Sequence, residues 1–405
     1  VTAPERVVVV GAGIAGVSAV TGMRAAGFAG EIVLVGAEEG LPYRRPPLSK
    51  ELLRGEKTLD QLAIRPAGWY ADQQVELLPG TPAAAVDPAA RQVTLADGRT
   101  LAYDRLVLAT GGRARRIGPD SPRIHTLRAA TDVPDLHAAL ARADRLVVVG
   151  AGLVGSEIAA SARSMGCEVT LLETAARPLP RLLPPDLGRM YADLHAAHGT
   201  ELCTGVRIVD LVDKGDRVVV TAADGRSWSA PVVVVAVGMQ PNAELAFAAG
   251  LLVDDGICVD GAGRTADPAI YAAGDVANRP EPVLGGRCRI EHWQGAQNHG
   301  TTVGRAVAGE AVDFAEVPWC WSDQYGHNLQ VTGWPEAADR CVLRGDPADR
   351  RFTAFLTRAD QLVGAVTMGR PADIRAARTL IGDRARVRAD ALADDAVAVA
   401  DCRIG

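Results

Sequence analysis

No two of the seven cysteines lie close together: Cys167, Cys203, Cys258, Cys288, Cys320, Cys341 and Cys402 are never nearer than 21 positions. The chain therefore has no Cys-x-x-Cys redox pair and no local zinc or cluster motif, and no metal is expected. An odd, scattered set reads as small buried residues in a reducing compartment. Long apolar runs are missing as well, and none approaches the roughly 20 residues that span a bilayer. Excess charge is missing too. A formal net charge of -6 gives no general reason to expect nucleic acid or a membrane as partner. The start, Val1-Thr2-Ala3-Pro4-Glu5-Arg6, runs straight into a strand pattern with no room for a signal peptide, which reads as cytoplasmic. What remains is 405 residues, 48% hydrophobic and 23% charged, the balance of an ordinary globular protein of two or three domains.

An internal repeat organises the chain. Val7–Val20, VVVVGAGIAGVSAV, closely resembles Leu146–Ala159, LVVVGAGLVGSEIA, 139 positions later. Each copy opens as a β-branched run, passes through Gly-x-Gly-x-x-Gly and continues into an Ala-rich helical stretch. A second strand pattern comes after each, EIVLV at 31–35 and EVTLL at 168–172. This is a β-α-β dinucleotide unit written twice, a doubly wound α/β architecture. Gly11 and Gly150 permit the tight turn. Gly13 and Gly152 let backbone approach a pyrophosphate, and Gly16 and Gly155 let helix and strand close up. Ala15 in the first loop, with Leu153 and Val154 in the second, lie at the helix start that meets the phosphates.

The acids after the second strands differ. Glu173 comes directly after its strand, placed for a ribose 2′-OH, and its charge repels a 2′-phosphate, so NADH is expected over NADPH. Arg177 nearby works against that preference. In the first unit the strand runs into Gly36-Ala37, and the acid is displaced to Glu38, read either as a partner of an adenosine ribose or as a solvated loop residue. Two further segments suit a flavin nucleotide. LVLATGG (Leu106–Gly112) is a strand ending in a small-residue turn at Ala109, Thr110 and Gly111. TADPAIYAAGDVA (Thr265–Ala277) is a short strand leading to Gly274-Asp275 and then a helix beyond Trp293. Asp275 can bond a ribityl hydroxyl or cap a helix.

In order, GAGIAG, ATGG, GAGLVGSE, GMQPN (Gly238–Asn242) and YAAGD (Tyr271–Asp275) match the pattern of flavoprotein reductases with two dinucleotide domains. PYRRPPLSK (Pro42–Lys50), RIEHWQGAQNHG (Arg289–Gly300) and PWCWSDQ (Pro318–Gln324) are more specific. With them almost the whole chain resembles the FAD-dependent NADH:ferredoxin reductases of bacterial cytochrome P450 and aromatic-ring dioxygenase systems. The resemblance implies non-covalent FAD and NADH as cofactors. It implies a [2Fe–2S] ferredoxin as partner and an oxygenase downstream of it, in a protein that is a monomer or homodimer.

It also implies two Rossmann-like domains and a third. The FAD-binding domain would be discontinuous, 1–112 and 240–315, with the NAD-binding domain at 113–239 and an α+β interface domain at 316–405. In the last, four alternating stretches near 327–334, 339–344, 351–357 and 361–367 precede a short helix from about Pro371 to Ile381. The same resemblance implies the site residues. Lys50 reaches the flavin near its reactive nitrogen and pairs with Glu157, otherwise read as a first-turn acid facing the helix dipole. Arg45 contacts FAD, Trp321 lies beside the flavin ring, and Glu291 and Trp293 lie along the same face. Gly238 joins the NAD site.

One absence separates this chain from its thiol-using relatives, the disulfide reductases and NADH oxidases. Positions 36–57 hold no cysteine, so no thiolate nucleophile can stand there. Other readings are a rubredoxin reductase, or a redox-responsive binding protein resembling apoptosis-inducing factor, in which turnover is incidental. Finally, residues 337–388 carry eleven arginines against six aspartates in a net-negative chain. This local excess could steer an acidic ferredoxin, with Arg344, Arg351 and Arg378 as candidates, or could be a solvated surface.

Overall fold

A computed structural model describes residues 5–281, 283 and 285–404; Val1–Pro4, at the start of the first strand pattern, lie outside the described residues. The chain forms two compact units, one from residues up to Arg44 with Leu59–Arg113 and Gln240–Glu316, the other from Arg45–Thr58, Ala114–Met239 and Val317 onward.

The first unit is built on a parallel sheet in the order Ile270–Ala272, Arg105–Leu108, Arg6–Val10, Glu31–Val35, Val75–Leu78. The β-branched runs suit it because both faces are covered. Alternation sends Val8, Val10, Val33 and Val35 into one core with Val93 and Leu95. Val7, Val9, Ile32 and Leu34 enter the other, beneath the helices Ile14–Ala25 and Trp293–Val307. These two helices meet backbone to backbone. A Cβ at Gly300 would come 2.2 Å from Ala15 O, and one at Gly304 would come 2.0 Å from Ala19 O.

The second unit repeats the plan with strands Thr200–Cys203, Glu168–Leu172, Arg145–Val149, Val232–Val235 and Ile124–His125. Joined to it is an antiparallel sheet in the order Trp319–Gln324, His327–Gly333, Gln361–Met368, Arg351–Arg358, Arg340–Asp346. One face of this sheet is covered by the helix Pro371–Gly382. The other, with Leu329, Phe352 and Val366, shares a core with Leu187, Tyr191 and Leu194 of the helix Pro185–Ala197. That common core makes one unit of the second nucleotide fold and the C-terminal sheet. Four of the sheet's strands and its helix lie where alternation places them. The fifth, Trp319–Gln324, shows in the sequence only as a motif, because two of its three buried side chains, Ser322 and Gln324, are polar. Residues 45–58, expected with the first nucleotide fold, pack in the second unit.

Candidate functional site

Both glycine loops have the geometry their spacing implies. Gly11 and Gly150 have φ of +113° and +104°, and a Cβ would come 2.2 Å from Ala109 O in one and 2.4 Å from Ala236 O in the other. At Gly16 and at Gly155 a Cβ would lie 1.9 Å from the carbonyl of the first glycine of its loop. At Gly13 and Gly152, in contrast, a Cβ would meet nothing within 4 Å among the described residues. The helices Ile14–Ala25 and Leu153–Ser164 begin there, and among the described residues no side chain caps either and no acid occupies either first turn. Two uncapped N-termini with open space in front fit a pyrophosphate each.

In the first unit the Ala109–Gly111 turn is locked by Asn242, a residue quoted in a motif but given no role. Thr110 Oγ1 donates to Asn242 O at 2.7 Å, Asn242 Nδ2 donates back to Thr110 O at 3.0 Å, and Asn242 N–H donates to Gly111 O. Gly274 has φ +76°, approaches Ala15 closely, and donates its N–H to Nδ1 of buried His299. Burial pushes His299 down to about 3, so it accepts as a neutral ring. Half-buried Asp275 is not the cap of the long helix, whose N-cap is His292. Glu38 accepts a hydrogen bond from Tyr43 Oη. Exposed Glu291 pairs with Arg289 at 2.6 Å, and half-buried Trp293 opens the helix.

In the second unit Glu173 bridges its loop: Oε2 accepts from Ala151 N–H and Oε1 from Ala175 N–H, both at 2.8 Å. Arg177 turns away, donating to Leu183 O and Pro180 O at 3.1 Å. The carboxylate thus stays against the glycine loop, while the guanidinium is tied to the segment after the second strand. Gly238 has φ +101°; Leu153 is half-buried and Val154 is 44% exposed at the helix start.

The most concentrated chemistry lies at Glu157, fifth residue of its helix and so beyond the first turn. Lys50 Nζ is 2.9 Å from Glu157 Oε1, with both side chains under a tenth exposed. Ser322 Oγ donates to the same oxygen at 2.7 Å, Ser49 Oγ donates to Oε2, and Ser161 Oγ holds Ser49 O at 2.7 Å. A buried ion pair survives only with such added hydrogen bonds. Sequence reasoning found the pair by resemblance and missed the three serines: Ser49 beside Lys50, Ser161 one turn along the helix of Glu157, and Ser322 on a strand 165 positions away. Arg45, in the same unit, donates to Arg128 O at 2.7 Å, and half-buried Trp321 stacks on Trp319 at 5.1 Å and 26°. Cys320 is buried, and burial, reinforced by the Glu157 charge, pushes its thiol up to about 12, leaving no nucleophile there.

The arginine excess needs correction at one position. Arg344 is 2% exposed and donates to the carbonyls of Leu392 and Ala391, so it anchors the C-terminal segment and meets no partner. Arg378 is half-buried over Trp319, and Arg351 is exposed.

Among the described residues no cluster could hold a metal ion, and no helix is long and apolar enough to cross a membrane. Residues 5–300 match the pyridine nucleotide-disulphide oxidoreductase family, and residues 319–403 match the reductase C-terminal family. The chain is 42% identical to the anthranilate 1,2-dioxygenase system ferredoxin–NAD(+) reductase component of Burkholderia cepacia, over 96% of this chain and 97% of that one. It is 38% identical to putidaredoxin reductase of Pseudomonas putida, over 98% and 96%. The crystal structure of a covalent putidaredoxin reductase–putidaredoxin complex matches with TM-score 0.94 at 37% identity, covering 99% of this chain and 98% of that one.

Proposed function

This chain belongs to the pyridine nucleotide-disulphide oxidoreductase family, and on that premise we propose that it is an FAD-dependent NADH:ferredoxin oxidoreductase. The carrying observation is full-length likeness to ferredoxin–NAD(+) reductases together with two open glycine loops and no thiol nucleophile. FAD supplies the exchange between a two-electron hydride donor and one-electron acceptors.

The residues divide the remaining work. Gly11, Gly13, Ala15 and Gly16, with Ala109, Thr110 and Gly111, hold the flavin nucleotide, and the uncapped helix end faces its phosphates. Gly274 and Asp275 would hold the ribityl chain. Glu38, Arg45, Lys50, Glu291, Trp293 and Trp321 complete the FAD set that the resemblance implies. Gly150, Gly152, Leu153, Val154, Gly155 and Gly238 hold NADH, with Glu173 selecting it against a 2′-phosphate and Arg177 steadying the neighbouring loop. The Lys50 ammonium would set positive charge beside the reduced ring, and Glu157, with Ser49 and Ser322, holds that ammonium in place. In domain terms this is an FAD domain at 1–112 and 240–315, save that its residues 45–58 pack in the second unit, an NAD domain at 113–239 and an interface domain at 316–405.

In this reading the ferredoxin is of the [2Fe–2S] kind and feeds a cytochrome P450 or Rieske-type oxygenase, in the cytoplasm, with the reductase a monomer or homodimer. A rubredoxin reductase or a redox-responsive binding protein is not favoured by relatives named for ferredoxin reduction. The test is NADH-driven reduction of a panel of [2Fe–2S] ferredoxins, read through cytochrome c. Rapid reduction of at least one is expected. Slow oxidase activity alone, with dimerisation on NADH addition, would favour the binding protein instead.

A further inference from the structure

Between the helix Pro185–Ala197 and the strand Trp319–Gln324 lies a line of polar side chains that the reaction as described leaves unused. It begins at the ion pair. Ser322 Oγ donates to Glu157 Oε1 at 2.7 Å, and Gln324 Nε2 donates to Ser322 Oγ at 2.9 Å. It ends at Tyr325, whose Oη is 3.0 Å from His195 Nδ1 and 2.9 Å from Thr200 Oγ1. The Tyr325 ring stacks on exposed His198, centroids 4.1 Å apart. Tyr325 and His198 line a groove of about 630 Å³, together with Lys50, Arg54, Arg163 and Gln324.

The middle of the line is unfinished. Tyr191 Oη, His195 Nε2 and Gln324 Oε1 are buried without a hydrogen-bond partner among the described residues. Ser322 and Gln324 lie close enough to perturb the Tyr191 hydroxyl, and Gln324 close enough to perturb His195, yet none meets full hydrogen-bond geometry with them. Three orphaned polar atoms in one neighbourhood are unusual, because each gives up its hydration on burial and gains no bond in return. One internal water with these three partners would satisfy them all.

We propose that this line is the proton exit of the reaction, with one water held by Tyr191 Oη, His195 Nε2 and Gln324 Oε1 joining Glu157 and Ser322 to His195, Tyr325 and the groove. The proposal rests on the reductase reading, and the need for an exit comes from its balance. Hydrogen leaves NADH as hydride, its two electrons end singly on two ferredoxins, and one proton per turnover remains to be discharged. Lys50 Nζ hands a proton to Glu157 Oε1 and takes up the reaction's proton in its place; the proton on Glu157 passes through Ser322 Oγ, Tyr191 Oη and the water to His195 Nε2. The Nδ1 proton of His195 moves to Tyr325 Oη, and the hydroxyl proton moves out to groove water. Burial pushes His195 down to about 4 and holds Tyr191 well above the usual tyrosine range, so both rest neutral and no fixed charge blocks the line. The competing route leads straight past Lys50, which also faces the groove.

Two measurements decide the matter. Water-to-side-chain NMR contacts, or a high-resolution crystal structure, should show an ordered water within hydrogen-bonding distance of the three atoms; a dry site overturns the proposal. In the FAD-loaded full chain, proton release to a pH-indicator dye should keep pace with ferredoxin reduction. His195→Gln and Tyr325→Phe should each make it lag at least tenfold, while NADH-driven flavin bleaching is unchanged. Tyr325 is only half-buried, so its variant stays informative if His195→Gln fails to fold. Prompt release in Tyr325→Phe would assign the exit to Lys50 and overturn the relay. A wild-type protein that bleaches with NADH but reduces no ferredoxin would refute the reductase reading itself.

Discussion

The two nucleotide folds of this chain share their hydrogen bonding as far as the end of the second strand and then part. Gly11 N–H donates to Val35 O as Gly150 N–H donates to Leu172 O, and Gly36 N–H donates to Leu78 O as Glu173 N–H donates to Cys203 O. Gly36 and Glu173 therefore stand at the same place. In the second fold that place holds a carboxylate clamped to the glycine loop through Ala151 N–H. In the first it has no side chain, a Cβ would press on Ala12 at 3.0 Å, and the acid comes two residues later, on Tyr43. The helices differ as well. Ile14–Ala25 is spent on close packing against Trp293–Val307, whereas Leu153–Ser164 carries Glu157 into a buried polar cluster. In the assignment proposed above, one loop motif serves a fold that retains its nucleotide and a fold that exchanges it, and the two folds differ in the helix and second strand end beyond the glycines.

The sharpest way to break the comparison is to close each loop in turn. Gly16→Val should abolish FAD incorporation, so that purified protein lacks the flavin absorbance. Gly155→Val should leave the protein yellow and weaken NADH about 100-fold or more, roughly 2.7 kcal/mol. Equal loss of flavin in both would contradict the separate assignment of the two loops.

Next in size is the acid peculiar to the second helix. Glu157→Ala leaves Lys50 buried and unpaired, and denaturant unfolding should show a loss of about 3–5 kcal/mol. FAD should stay bound, but stopped-flow bleaching by NADH should slow. The double variant Lys50→Met, Glu157→Leu should recover most of the stability and none of the rate. Unchanged bleaching in Glu157→Ala would leave the residue a structural role only.

Much of this was legible in the sequence, and the boundary is physical. The strands 31–35 and 168–172, the turn at Ala109–Gly111 and the Gly274-Asp275 strand end are local patterns, each set by a few adjacent residues. Ser49 and Ser322 meet at Glu157 from segments 108 and 165 positions away, and a lone serine gives no signal of that. Asn242 was visible as part of a motif but not as a lock on Thr110. Arg344 misled because charge counts ignore burial: a guanidinium with two carbonyl acceptors can sit inside a sheet edge as readily as on it.

A smaller effect sharpens the difference between the acids. NADH should be preferred over NADPH by tenfold or more in kcat/KM, and Glu173→Ala should narrow the gap by about 1.4 kcal/mol. Equal efficiencies in the unaltered protein would mean that Arg177 governs the pocket. Smallest is the surface term. Arg351→Glu should raise the apparent KM for ferredoxin a few-fold and lessen its salt dependence without touching KM for NADH. Arg344→Glu should instead impair folding, because it puts a carboxylate against two backbone carbonyls.

The central claim is that a hydride enters at one fold and electrons leave singly, and anaerobic stoichiometry tests it most directly. Limiting NADH is mixed with the FAD-loaded protein and an excess of a [2Fe–2S] ferredoxin, and reduced ferredoxin is counted from its absorbance. The account predicts two ferredoxins reduced per NADH consumed, with the flavin returned to its oxidised spectrum. Flavin that stays reduced while every ferredoxin tried remains oxidised would contradict it.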